Sequence, residues 1–301
     1  IEFQSIEHVF NQVSIGANRN FVVIIPARKV DLSGRIVLHS GLGNVATGPI
    51  ELLDFFKGAE ISAGGRSIFG LPSRNRQGKP NIKISVSNYQ NQFGSEESLD
   101  IVVTEFGAAN LKGLTIRERA QSLIDIAHPE DRQHLVELAK KMNLLYADQI
   151  FIPESSFLYP HNIIERHTFK GNLEVRFRPI RPSDEEQMRR LFYRFSDQDV
   201  YARYFANIQS MPHGKMQQYV NVNWNEIMSV VGLTGPLGQG RIIAEGRFIK
   251  IPTYPHAELA FVVDEEVQNR GISSYLLKII TKLAKKKGIT AFTFEVLFSN
   301  T

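Results

Sequence analysis

The stretch Leu259-Ala260-Phe261-Val262-Val263-Asp264-Glu265-Glu266-Val267-Gln268-Asn269-Arg270-Gly271-Ile272-Ser273-Ser274-Tyr275-Leu276 decides most of the fold. Its first five residues are a continuous apolar run that reads as a strand. From Arg270 to Lys286, the residues Ile272, Tyr275, Leu276, Ile279, Ile280 and Leu283 recur at helical spacing and predict an amphipathic helix. Between the two lies a turn containing Gly271. The first amides of a helix have no partner within it, and the aligned peptide dipoles favour an anion there. Strand, turn and helix in this order form a candidate pyrophosphate cradle, with Gly271 leaving no Cβ where a ligand would approach. An ordinary strand-to-helix turn is the competing reading.

Working outward, alternating or continuous apolar runs predict strands near 173–180, 227–233, 241–249, 256–263 and 290–298. Ser183 with Glu186 three residues later predicts a capping box that opens a helix through Met188, Leu191 and Phe195. Residues 153–172 mix Pro, Ser, His, Asn and Tyr without periodicity and are expected to be a linker. Before it, 21–25 reads as a strand buried on both faces, with shorter strands at 35–38, 67–71 and 101–104 and a half-exposed one at 82–86. Helices are expected over 49–58, from a Thr115 cap with Glu118 three positions on, and over 129–143. The expected organisation is a first domain at 1–152, a linker at 153–172 and a second domain at 173–301.

Composition narrows the function classes. No apolar run approaches the ~20 residues of a membrane span, so neither a membrane partner nor a secreted chain is expected. The chain has no cysteine, which excludes disulfides, thiolate metal sites and cysteine nucleophiles and fits a reducing cytoplasm. Thirty-five Lys and Arg nearly cancel 31 Asp and Glu, leaving a formal charge of +4 that predicts no nucleic-acid partner. No metal site is expected, and assembly into a homo-oligomer is left open. The chain begins at Ile1, inside a segment that already reads as structured, and is expected to be a piece of something longer.

The strand-turn-helix resembles motif A of the GNAT superfamily of N-acetyltransferases: Gln268, Gly271 and Ser273 stand at its defined positions, Ser273 where Gly or Ala is usual. The stretches 175–184 and 195–205 are similar to the opening of the acetyltransferase domain fused to large acyl-CoA-synthetase-like proteins that acetylate protein lysines. The resemblance implies acetyl-CoA as cofactor, with its pyrophosphate on Gln268, Asn269, Arg270, Gly271, Ile272 and Ser273. It implies main-chain pairing of the pantetheine arm with Phe261, Val262 and Val263, and Asn300 close to the cofactor. Glu258 stands where such enzymes place a general base that deprotonates the acceptor amine, usually through water; a solvated edge-strand carboxylate is the alternative. His256 is read as structural, with a proton shuttle as the alternative. The family continues with a tyrosine-bearing helix and two strands, which are expected to lie beyond Thr301.

Residues 5–143 resemble the C-terminal part of the acetyl-CoA hydrolase and CoA-transferase family, through Val30-Asp31-Leu32-Ser33-Gly34, Ser40-Gly41-Leu42-Gly43-Asn44, Asp54-Phe55-Phe56-Lys57-Gly58-Ala59, Val103-Thr104-Glu105-Phe106-Gly107 and the run from Arg117 to Pro129. Gly41 and Gly43 would let backbone amides approach an acyl oxygen, and Glu105 would sit at the carboxyl end of a sheet where ligands bind. A tight turn and a structural hydrogen bond are the alternatives. The family's glutamate nucleophile belongs to a part of that fold preceding these residues, and no match to its motif occurs here. The two resemblances together imply an α/β chain, an open CoA-transferase-like domain followed by a GNAT mixed-sheet α+β domain. The expected function is acetyl transfer from acetyl-CoA to an amine or a protein lysine. The alternatives are an acetyl-CoA hydrolase or CoA-transferase whose catalytic glutamate lies outside the chain, and a non-catalytic acyl-CoA sensor.

Overall fold

The computed structural model describes residues 3–38, 50–89, 92–93, 99–160, 163–196, 200–201, 208–236 and 240–294. The chain divides into two compact units, Ile1–Ala147 and Asp148–Thr301.

The first unit runs α1 (Ile6–Val9), α2 (Gln12–Gly16), β1 (Val22–Asp31), β2 (Ile36–Leu38), α3 (Ile50–Ile61), β3 (Arg66–Gly70), β4 (Ile82–Lys83), β5 (Gln92–Phe93), β6 (Ile101–Thr104), β7 (Gly107–Asn110), α4 (Ile116–Asp125) and α5 (Pro129–Lys141). Its sheet has the order β5-β2-β1-β3-β6-β7, with β4 alongside β1; β1, β3 and β6 are parallel, and β7 turns back on β6. Val30, Leu32, Phe69 and Val102 fill its core. Thr115 and Glu118 form the expected capping box on α4.

Two strand expectations change. Residues 21–25 are not buried on both faces: Val22 and Ile24 are 46% and 68% exposed. The reason is pairing, because β2 joins β1 only from Ala27 onward and, among the described residues, the earlier half is hydrogen-bonded to β3 alone. The run 82–86 forms a ladder only at Ile82–Lys83, since the Val86 amide donates to the Asp31 carboxylate (3.1 Å) and is turned away from a neighbouring strand.

The second unit runs α6 (Pro153–Leu158), β8 (Glu165–Phe169), β9 (Leu173–Pro179), a 3-10 turn (Pro182–Asp184), α7 (Glu185–Phe192), α8 (His213–Val220), β10 (Ile227–Thr234), β11 (Arg241–Lys250), β12 (His256–Val263), a 3-10 turn (Glu265–Val267), α9 (Ile272–Lys286) and β13 (Ala291–Thr293). The sheet order is β13-β12-β11-β10-β9-β8, antiparallel throughout except for the parallel pair β12 and β13, which α9 connects. Side chains alternate faces along a strand. Ile280 of α9 reaches Gly246, whereas Tyr219 of α8 bonds Glu245, so α9 and α8 cover opposite faces.

The stretch expected to be a linker, 153–172, instead contains α6 and β8, and β8 extends the sheet by pairing with β9. Its outward residues are polar and only Phe169 is buried, so it offers no apolar alternation to read. The Ser183 capping box does not form either. Asp184 takes the junction: its carboxylate accepts from the Arg181 amide (2.8 Å) and from both terminal nitrogens of Arg178 (2.7 Å each), which draws the first turn into 3-10 form.

Candidate acyl-CoA site

β12 ends at Val263, and the chain then needs one turn to reach α9 on the face above. Asp264 fixes that turn. It is 1% exposed, its amide donates to the Ile243 carbonyl (2.8 Å), and its carboxylate accepts from the Glu266 amide (3.2 Å) and from Arg194 Nε (2.7 Å). Arg194 also donates to the Ile242 carbonyl (2.6 Å), so a buried ion pair ties the end of β12 to β11. Arg241 donates to Glu266 from the other side, which raises the arginine and holds the glutamate below the usual carboxylate range.

Past this anchor the backbone runs through two left-handed residues, Asn269 (φ 59°) and Gly271 (φ 92°), and α9 begins at Ile272. A Cβ built on Gly271 meets nothing within 4 Å, so the positive φ is what demands glycine, and the space beside it is open. The first helical bond runs from the Tyr275 amide to the Gly271 carbonyl (3.1 Å). Among the described residues, the amides of Ile272, Ser273 and Ser274 meet no acceptor, as expected at a helix start without a side-chain cap. Asn269 and Ser273 are exposed and Ile272 is buried in the core. Gln268 donates from its side chain to the Val263 carbonyl (3.2 Å), closing the turn on itself. Arg270 lies along the turn between β8 and β9, 3.5 Å from the Lys170 carbonyl.

β12 supplies an edge beside this turn. On one side Ala257–Val263 pair with β11; on the other, among the described residues, β13 pairs only with His256, Ala257 and Glu258. Phe261, Val262 and Val263 are half-buried and follow the last paired position. Glu258 sits at that last position, exposed, between Ile249 and Thr293. It is therefore flanked by paired strands on both sides rather than at a sheet edge, with its side chain in solvent as its alternative reading had it. His256 stacks beside Tyr254 at the start of the strand.

The charged groups that sequence reasoning missed lie on the same face as Glu258. Glu245 and Arg247 oppose Val262 and Ala260, and Ile249 opposes Glu258, which puts all of them on the α8 side. Glu245 is fully buried and accepts from Ser229 Oγ (2.6 Å), Arg247 Nε (2.7 Å) and the Tyr219 hydroxyl (2.9 Å). The Arg247 guanidinium lies 3.4 Å over the Tyr219 ring. The signal was present as two charges, two residues apart, in the otherwise apolar 242–249 run.

In the first unit, Glu105 stands in the tight turn between β6 and β7 and its two carboxylate oxygens accept from the Ser73 amide (2.9 Å) and hydroxyl (2.5 Å). Partial burial pushes its carboxyl up, but the Ser73 bonds outweigh this and hold it below the usual carboxylate range. Both oxygens thus already have a local partner. Gly41, Gly43 and Asn300 lie outside the described residues.

Residues 1–139 match the family described as acetyl-CoA hydrolase/transferase C-terminal domain, and residues 186–301 match the acetyltransferase (GNAT) family. The two halves of the chain are similar to different families. The first half is 38% identical over 143 residues to 4-hydroxybutyrate coenzyme A transferase of Clostridium kluyveri, covering 47% of this chain and 33% of that protein. The GNAT half is 29% identical over 124 residues to acetyltransferase Pat of Mycolicibacterium smegmatis, covering 41% of this chain and 36% of that protein. Among solved structures, the GNAT domain of S. lividans PAT matches at 26% identity and a TM-score of 0.44, covering 47% of this chain and 83% of that one. The chain spans about a third of the length of the curated relatives it matches first. The residues that match the GNAT family include β12, the Gly271 turn and α9, while β8 precedes them. No helix among the described residues is long and apolar enough to cross a membrane.

Proposed function

We propose that the second unit transfers an acetyl group from acetyl-CoA to an amine, with 173–301 as its working domain and 1–152 as a separate CoA-transferase-like domain. One observation carries the reading: among the described residues, the edge of β12 from Phe261 to Val263 has no partner strand on its outer side and leads directly into a helix start whose Ile272, Ser273 and Ser274 amides meet no acceptor. A thioester with an amide-rich arm and a pyrophosphate is a ligand of that shape and charge. The arm would add to the edge of β12 as a strand does, and the free amides, with Gln268, Asn269, Arg270 and Gly271 shaping the loop, would take the phosphates. Acetyl-CoA supplies the activated acyl group. Glu258, on the strand that presents the edge, accepts the proton of the attacking amine through a water. A protein lysine is the acceptor implied by the resemblance of 175–184 and 195–205 to the fused acetyltransferases, and a small amine fits the same chemistry.

Calorimetric titration of acetyl-CoA into the chain tests the assignment. Gly271→Glu places a carboxylate and a strained backbone where the phosphates are proposed to sit, so affinity is expected to fall by a factor on the order of 100 or more, the equivalent of about 2.7 kcal/mol. Unchanged affinity with an intact fold would remove the turn from the site.

The 38% identity of the first half to a CoA-transferase favours a second reading for that half alone, as part of a CoA-ester enzyme completed by residues outside this chain. Mass spectrometry of a longer protein incubated with an acyl-CoA tests it: a glutamyl-CoA thioester supports it, and none argues against it.

A further inference from the structure

A groove of about 460 Å3 opens on the face of the second sheet opposite α9, at the end of β8, β9 and β10, with Arg166, Arg176, Glu174, Asn172, Thr234 and Gly235 among its lining. Two guanidiniums face it from adjacent strands. Arg166 and Arg176 are direct cross-strand partners, a placement in which like charges repel. The compensation is incomplete. Glu174 comes within 3.7 Å of Arg166, but that contact is largely solvated, with both side chains more than 60% exposed. Arg178, next on this face, is fully engaged with Asp184. Arg176 meets no carboxylate within 4 Å among the described residues and donates only to the Gly235 carbonyl at 3.3 Å. Burial, then Arg166 and Arg178, pull its guanidinium below the usual arginine range. The Arg176 fork lies close against Gly240, where a Cβ would come within 3.1 Å of its Nη2.

Two guanidiniums on adjacent strands suit a tetrahedral oxyanion, which each can grip with paired N–H donors. The volume falls in the range of small-molecule sites. α9 and its free amides lie on the far side of the sheet, because Tyr275 stacks on His167, one residue along from Arg166 and so on the other face. Arg270 of the acetyl-CoA turn comes only as far as the Lys170 carbonyl at the β8–β9 turn, so the sheet itself separates the groove from the helix start. We propose that this groove binds a small phosphate-bearing anion, a phosphate ester or diphosphate, between Arg166 and Arg176, at a site separate from the acetyl-CoA turn.

Inorganic pyrophosphate is the probe, titrated calorimetrically into the 301-residue chain carrying Gly271→Glu, so that the helix start does not contribute. Arg166→Gln, a change at an exposed side chain, and Arg176→Gln are each expected to weaken binding at least tenfold, with Arg166→Gln leaving the thermal melt unchanged. In the chain with native Gly271, a pyrophosphate site dependent on these arginines is expected to persist under saturating acetyl-CoA. Affinity in both arginine variants unchanged from the parent Gly271→Glu chain, or no binding at millimolar pyrophosphate, overturns the proposal. Displacement by acetyl-CoA also overturns it, by making the groove part of the acyl-CoA site. The first two arms contain no acetyl-CoA, so they test the groove even if the chain proves not to bind it.

Discussion

Glu258 is placed by register: it faces Ile249 on one side and Thr293 on the other, and the next residues of β12 are those whose outer edge is free of β13 among the described residues. A base at that point has a definite task. A lysine-type amine with an ordinary pKa near 10.4 is neutral in only about one molecule per thousand at pH 7.4, so a carboxylate that removes the proton as attack proceeds raises the rate by supplying the reactive form on demand. Glu258→Gln is expected to lower kcat for an amine acceptor by a factor on the order of 100 at pH 7.4, leaving acetyl-CoA affinity nearly intact. The deficit should shrink as pH rises toward the amine's own pKa, because the amine then arrives deprotonated. Rates for native and variant chains that coincide across the pH range would mean that holding the amine near the thioester suffices.

At the scale of elements, the site depends on how closely α9 lies on the sheet. Gly246 in β11 makes the approach: a Cβ there would stand 2.8 Å from Ile280 Cδ1 and 2.8 Å from Phe261 Cδ1, with extended backbone that alanine tolerates. Gly246→Ala therefore overpacks the helix-sheet seam, and urea unfolding is expected to show a loss of about 1–3 kcal/mol. Phe261 belongs to the part of β12 that β13 does not pair among the described residues, so acetyl-CoA affinity should fall with it; a variant as stable as the native chain would show that the seam relaxes freely. The periodicity of α9 and the apolar run of β12 were legible because both bury one repeating face against a common core. β8 was not, since an added edge strand with polar residues outward and one buried Phe169 leaves no pattern. The exposure of Val22 and Ile24 was hidden because an apolar run is the same letters whether one neighbour strand or two lie beside it. Glu245 was missed for a related reason. Its partners Ser229 and Tyr219 stand 16 and 26 residues away and meet it only through strand pairing and the packing of α8.

On the scale of the whole chain, each unit has its own sheet and its own buried core, and the family match changes between them. A near-balanced charge is consistent with a ligand site built from backbone amides, where the field comes from oriented peptide dipoles and a few side chains such as Arg270. A ligand that binds only the folded second unit stabilises that unit by mass action, by about 2.7 kcal/mol at a concentration 100 times its Kd. Hydrogen exchange read by mass spectrometry should then separate the units. With saturating acetyl-CoA, peptides covering β12 and the start of α9 are expected to slow by a factor on the order of 100 where exchange proceeds by opening of that unit. The free amides of Ile272, Ser273 and Ser274 should gain protection directly, because they acquire acceptors they otherwise lack. Peptides from β3, β6 and α4 of the first unit should exchange at the same rate with and without ligand. Equal protection in both units would place an acyl-CoA site in the first as well, and protection of the first alone would move the site out of the GNAT half.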